Sequence, residues 1–223
     1  MTSLLDLYDL FCFDFDGLLV DSEALHKQAY ELALAEFQLR CPVEFFDYCF
    51  AAHHPTGDRL KDLYTSIFPQ IDEKKWSEIG KRKQKHYYNL IHTQPLLLMP
   101  QVDSFLEFLL RANKSLCVVT NSSLKVTLPY RKSFPILEKI PLWITRDDVQ
   151  KGKPHPDGYL KALSHFAQIP KSRVLALEDA LKGVTAILNA EITPLLVCPK
   201  QHPQLAIMDS TLKHIESLGA VLA

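Results

Sequence analysis

Short apolar runs alternate with helical periodicities along most of this chain. Leu10-Phe11-Cys12-Phe13 is the first run, and Leu116 to Val119, Leu142 to Thr145, Val174 to Leu177 and Leu195 to Cys198 follow. The later runs are rich in Val, Ile, Leu or Cys and none alternates apolar with polar, the pattern of strands covered on both faces. Between them, Val102, Phe105, Leu106, Leu109 and Leu110 repeat at i, i+3, i+4, as amphipathic helices do. Tyr159, Ala162, Leu163, Phe166 and Ala167 follow the same rule, as do Ala180, Val184, Ile187 and Leu188. Strands alternating with such helices predict βαβ units and a parallel sheet, here of five strands. Right-handed crossovers then bring all the strand C-terminal ends to one edge.

Residues 21–95 interrupt this order. They show helical periodicity (Leu25, Ala29, Leu32, Ala33), contain no convincing strand and end at Thr93-Gln94-Pro95. A helical insertion after the first strand leaves the sheet at the edge where the strand ends gather, so it is placed to cap whatever lies there. The expected class is α/β, with residues 1–20 and 96–223 forming the sheet core and 21–95 the cap.

Composition narrows the partners. The 223 residues are 47% hydrophobic and 23% charged, enough for one sizeable core and an accessory subdomain. Twenty-five Lys and Arg against 26 Asp and Glu leave a formal charge of −1, which draws the chain to neither nucleic acid nor membrane. Recognition of an anion must then be local. The basic run Lys74, Lys75, Lys81, Arg82, Lys83 and Lys85 reads as a solvated helix face. Five cysteines without CxxC spacing read as reduced, buried thiols. The first ten residues carry Asp6 and Asp9 and no basic leader, and no stretch has the length of a membrane span. A cytoplasmic monomer is expected, with a small molecule as its partner.

Candidate chemistry stands at the predicted strand ends. Asp14-Phe15-Asp16-Gly17 closes the first strand; carboxylates two residues apart share a side, and Gly17 permits a sharp departure of the backbone. Taken alone, the tetrapeptide more often marks a strand-terminating turn. Thr120-Asn121-Ser122-Ser123 ends the second run with groups that suit a phosphate oxygen but, taken alone, more often form a helix N-cap. Lys151-Gly152-Lys153-Pro154-His155-Pro156-Asp157 is a stiffened loop before a helix that Asp157 can cap, which leaves Lys153 without a structural task. Glu178-Asp179 ends the fourth run with two adjacent acids, suited to a hard cation.

These four motifs, in this order and each at the end of its own strand, resemble the haloacid dehalogenase-like hydrolase superfamily. The likeness is to its helical-cap members, β-phosphoglucomutases and sugar-phosphate phosphatases, and covers nearly the whole chain. The resemblance implies a Rossmann-like parallel sheet core with an inserted α-helical cap. It implies Asp14 as the nucleophile of an aspartyl-phosphate mechanism, Asp16 as acid and base, and Lys153 as the stabiliser of charge on the phosphoryl group. Thr120 and Asn121 would bind that group beside Lys153. Mg²⁺ would be held by Asp14, the main-chain carbonyl of Asp16, Asp179 and Glu178.

Departures from the family pattern are local. Ala180 replaces a serine, Asn189-Ala190-Glu191 replaces a glycine-containing turn so that the helix there is expected to end differently, and Gln101 replaces a glycine after Pro100. Asp21-Ser22-Glu23-Ala24-Leu25-His26 is similar to the run that opens the cap in this subgroup and makes His26 a candidate substrate contact. Thr56-Gly57-Asp58-Arg59 matches a mutase substrate loop only loosely, which favours a phosphatase of small phosphomonoesters over a phosphomutase. A non-catalytic binding protein that keeps the fold is the third reading. His53-His54 is discounted as a metal pair, because neighbouring helical side chains diverge and no acid or cysteine completes a set. Replacing Lys153 by Met is expected to weaken turnover with little change in thermal stability.

Overall fold

The computed structural model describes residues 4–55 and 58–222; Thr56 and Gly57, from the run compared with a mutase loop, lie outside the described residues. Six parallel strands form one sheet in the order β3-β2-β1-β4-β5-β6. They are β1 (Leu10–Phe13), β2 (Ser115–Val119), β3 (Leu142–Ile144), β4 (Val174–Glu178), β5 (Thr193–Val197) and β6 (His214–Ile215). The expected five are all present, and β6 corrects the count. Two residues flanked by Lys213 and Glu216 carry no apolar run, and β6 exists only because Leu196 and Val197 offer it an edge. Pro194 lies inside β5 yet costs no ladder bond on that edge, since β6 pairs only from Leu196 onward.

Both faces of the sheet are covered. Phe11, Phe13, Leu116, Val118, Leu175 and Leu177 point to one side, where Val102, Phe105, Leu106 and Leu109 of a helix over Val102–Arg111 pack on them. Leu10, Cys12, Cys117, Val119, Val174 and Ala176 point to the other, against Tyr159 and Ala162 of the helix Asp157–His165 and Ala186 and Ile187 of the helix Leu181–Asn189. This two-sided burial is why the strand sequences lack polar alternation. The cysteines are free, and all but the half-buried Cys41 are buried.

Between β1 and the helix at Val102 the described residues form four helices, α1 (Glu23–Ala35), α2 (Phe45–Ala52), α3 (Arg59–Ile67) and α4 (Glu73–Thr93). Asp58 and Asp72 cap α3 and α4 by accepting from the Lys61 and Lys75 amides. The four enclose an apolar cluster of their own, including Ala33, Leu34, Tyr48, Leu60, Tyr64 and Ile79.

Three local expectations need correction. Asp157 does not cap the helix it begins; its carboxylate accepts from the Lys151 amide and pairs with His155. Gln101 and Glu191, both at positions where glycine was expected, have φ of 63° and 61°, so the left-handed backbone is kept without the residue that adopts it most freely. The helix Leu181–Asn189 therefore ends as a glycine-terminated helix would, with the Glu191 and Ile192 amides turning back to Leu188 and Ile187.

Candidate active site

The C-terminal ends of β1, β2 and β4 and the loop after β3 converge. Asp14 follows β1 at the centre of the sheet, with its amide bonded to the Leu177 carbonyl, so its carboxylate emerges beside the end of β4. Lys153 Nζ reaches it at 2.5 Å and also pairs with Glu178. The carboxylates of Asp14, Glu178 and Asp179 form one buried group with oxygens within 4.8 Å of one another.

Two glycines make this crowding possible. Gly17 has φ +75°, and a Cβ there would stand 2.2 Å from Asp179 Oδ2. A Cβ on Gly183 would stand 1.8 Å from Glu178 Oε1. The glycine expected for a backbone turn thus also opens the space into which an acid leans.

The electrostatics follow from burial and like charge. Burial pushes the Asp14 carboxyl well above the usual carboxylate range, Glu178 adds to the rise, and Lys153 opposes it. Asp179 is driven up by burial, with His53 opposing and Asp14 and Glu178 adding. Burial works against the Lys153 charge, but Asp14 and Glu178 outweigh it and hold the ammonium above its ordinary value. The group carries more negative charge than one lysine balances. A hard dication fits it, because the donors are all carboxylate oxygens.

Asp16 faces away from that group. Its Oδ1 accepts from Ser22 Oγ at 2.7 Å and His26 Nε2 at 3.1 Å, and its Oδ2 from Ser122 Oγ at 2.5 Å. Burial disfavours its charge, yet these donors, His26 foremost, bring its pKa down to about 2. His26 lies flat on Tyr87, ring centroids 3.9 Å apart, and its Nδ1 stands 2.7 Å from Lys83 Nζ. A carboxylate only accepts and an ammonium only donates, so the His26 Nε2–H donates to Asp16 while Nδ1 accepts from Lys83. Burial lowers the Lys83 pKa to about 8.

Thr120 is buried, and its Oγ1 accepts from the Ser122 amide, leaving the hydroxyl proton for an anion. The side chain of Asn121, expected on the phosphate, is committed elsewhere: its Oδ1 accepts from the Lys153 amide at 2.8 Å and its Nδ2 donates to the Lys153 carbonyl at 3.1 Å. Asn121 positions the lysine loop.

All eight residues singled out from the sequence gather here, His26 included. Ser22, Ser122, Tyr87 and Lys83 were not given roles. Lys83 is the exception to the solvated basic face: it turns inward while Lys81, Arg82 and Lys85 stay exposed. His53 also departs from expectation, since Glu23 and Asp179 both come against it. A cavity of about 310 Å³ opens beside them, lined by Phe45, Phe46, Met99 and Leu218 among others.

A fold and acidic centre of this kind define a family, and the comparison with known proteins supplies it. Residues 11–197 match the family model of haloacid dehalogenase-like hydrolases, and the chain belongs to that family of enzymes. Among curated relatives, it is 27% identical over 195 residues to (DL)-glycerol-3-phosphatase 2 of Arabidopsis thaliana, covering 83% of this chain and 77% of that one. It is 29% identical over 192 residues to a protein of Drosophila melanogaster named as a pseudouridine-5'-phosphatase, covering 83% and 79%. The crystal structure of CbbY from Rhodobacter sphaeroides in complex with phosphate superposes with a TM-score of 0.72 at 22% identity over 95% of each chain, a likeness of fold. Among the described residues no helix is long and apolar enough to cross a membrane.

Proposed function

We propose that this hydrolase is a Mg²⁺-dependent phosphatase of a small phosphomonoester, working through an aspartyl-phosphate on Asp14. The observation that carries the reading is the convergence of Asp14, Lys153, Glu178 and Asp179 at one buried point, with Asp16 two residues beyond Asp14 and its carboxylate held by Ser22, His26 and Ser122. The phosphatase names of the curated relatives support it. In this reading residues 1–20 and 96–223 form the catalytic core, residues 21–95 act as the cap that keeps water from the intermediate, and the enzyme works in the cytoplasm.

Asp14, Glu178 and Asp179 would hold Mg²⁺ together with the Asp16 carbonyl, and the ion when bound offsets the repulsion between a carboxylate and a phosphate dianion. Lys153 neutralises charge on the transferring group, and Thr120 Oγ1 orients one of its oxygens. Asp14 attacks phosphorus and the ester P–O bond breaks, with Asp16 giving a proton to the departing oxygen. Asp16 then takes a proton from water as that water attacks phosphorus, which frees phosphate and restores Asp14. Asp16, ionised between turnovers, is free to accept the proton of the second step. For the first, Lys83 resupplies the proton through His26 along the two short contacts that join them to Asp16.

The test is phosphate release by the wild type and by Asp14→Asn from sugar phosphates, nucleotides and phosphorylated cofactors, with Mg²⁺ and with chelator. Mg²⁺-dependent release that disappears in the variant is expected. Activity retained by Asp14→Asn, or no release from any compound, overturns the reading; the second outcome turns attention to phosphoryl transfer within a hexose phosphate.

A further inference from the structure

Glu23 and His53 have no task in the reaction described above, yet they meet at one of its acids. His53 Nε2 lies 3.4 Å from Glu23 Oε2 and 3.9 Å from Asp179 Oδ2. The three offer ligand atoms within 4.8 Å of one another. His53 is 7% exposed and its Nδ1 has no hydrogen-bond partner. The polar contacts of the ring are thus directed at the two carboxylates, while His202 stacks parallel to it at 5.3 Å and limits its rotation. A tetrahedral centre with bonds of about 2.0–2.1 Å spaces its ligands about 3.4 Å apart, so the two histidine–carboxylate distances need to close by no more than about 0.5 Å and the carboxylate pair by no more than about 1.4 Å.

Charge points the same way. Glu23, Asp14, Glu178 and Asp179 form a contiguous cluster in which, among the described residues, Lys153 is the one lysine that pairs with these acids. A phosphate dianion bound beside the cluster adds negative charge that a further cation would offset. The cavity lined by Glu23, His53, Asp179 and His202 provides an entry path.

We propose that Glu23, His53 and Asp179 hold a second divalent cation of the imidazole-accepting class, Mn²⁺, Co²⁺ or Zn²⁺, with Asp179 shared between it and the Mg²⁺ position. The imidazole separates this site from the all-oxygen group next to it, because a nitrogen donor favours transition ions over Mg²⁺. Glu23 opens α1, His53 follows α2 and Asp179 follows β4, so the ion ties two helices of the insertion to the sheet.

Co²⁺ is the probe, added to the purified full chain in excess Mg²⁺ while visible d–d absorbance is followed. The wild type is expected to bind one equivalent with the intense band of a four- or five-coordinate centre. Asp14→Asn keeps that band even though it loses turnover, so the outcome here does not depend on the phosphatase reading. His53→Gln and Glu23→Gln lose it while keeping the wild-type far-ultraviolet circular dichroism; should His53→Gln not fold, Glu23→Gln carries the test. Absence of the band in the wild type, its survival in both variants, or its abolition by Mg²⁺ overturns the proposal and leaves His53 as an ion-pair partner of the two acids.

Discussion

Replacing Lys153 by Met keeps most of the side-chain volume and removes the ammonium that stands between Asp14 and Glu178. From the sequence the change was expected to spare thermal stability; the burial of all three groups reverses that expectation. Without the lysine and without metal, one further carboxyl of the Asp14–Glu178–Asp179 group must be neutral in the folded state. Holding a carboxyl of ordinary pKa 3.8 neutral at pH 7 costs about 4 kcal/mol, at about 1.4 kcal/mol per pH unit. At pH 5 the same constraint costs about 2 kcal/mol. The sign follows from the raised folded pKa: the folded variant binds a proton that the unfolded chain has released, so stability falls as pH rises above 3.8. For a chain of this size the loss at pH 7 lowers Tm by roughly 8–16 °C. Urea unfolding of wild type and Lys153→Met in chelator at pH 5 and pH 7 measures both values. A loss below about 1 kcal/mol at pH 7, or one that does not shrink at pH 5, refutes the argument that the ammonium is what lets these acids share a buried point.

Two further substitutions probe the backbone around the site. Gly183→Ala drives a methyl to within 1.8 Å of Glu178 Oε1, so the acid must move; turnover is expected to fall by at least tenfold with far-ultraviolet circular dichroism unchanged, and wild-type kinetics would show that Glu178 does not need its observed place. Gln101→Gly relieves a left-handed residue at φ 63° and is expected to add up to about 1 kcal/mol, net of the entropy glycine gains in the unfolded chain. Gln101→Ala, which keeps the Cβ, should leave Tm near the wild type, and equal effects of the two would assign the change to the side chain.

What was legible in the sequence depended on where the information lies. β1 was read to its end residues, and the acids at 14, 16, 178 and 179 with Lys153 stood out because strand ends concentrate chemistry into short motifs. The contacts of the insertion were not legible in the same way. Lys83 sits among five other basic residues and is distinguished only by the turn of α4 that faces His26, and nothing near His53 in the chain announces Glu23 or Asp179. Those meetings are set by how helices dock, which no local pattern encodes. Ser122 was within reach: a hydroxyl two residues beyond Thr120, on the loop that must face the site, was the available signal. β6 has no hydrophobic pattern of its own and is defined by its neighbour.

The position of β1 in the middle of the sheet also bears on the order in which the protein can be made. Leu10 pairs with Ser115 on one side and Val174 on the other. At about 5–20 residues per second, the strand that leads into Asp14 leaves the ribosome on the order of ten seconds before its second partner does. Until β2 follows, the four apolar residues of Leu10–Phe13 have no strand to pair with, and until β4 follows one edge of β1 stays open, whereas the helices between Glu23 and Thr93 can already close around their own cluster. The nascent chain is then a folded helical unit trailing a sticky leading strand, the form of client that a chaperone binding short apolar segments would hold until β4 emerges.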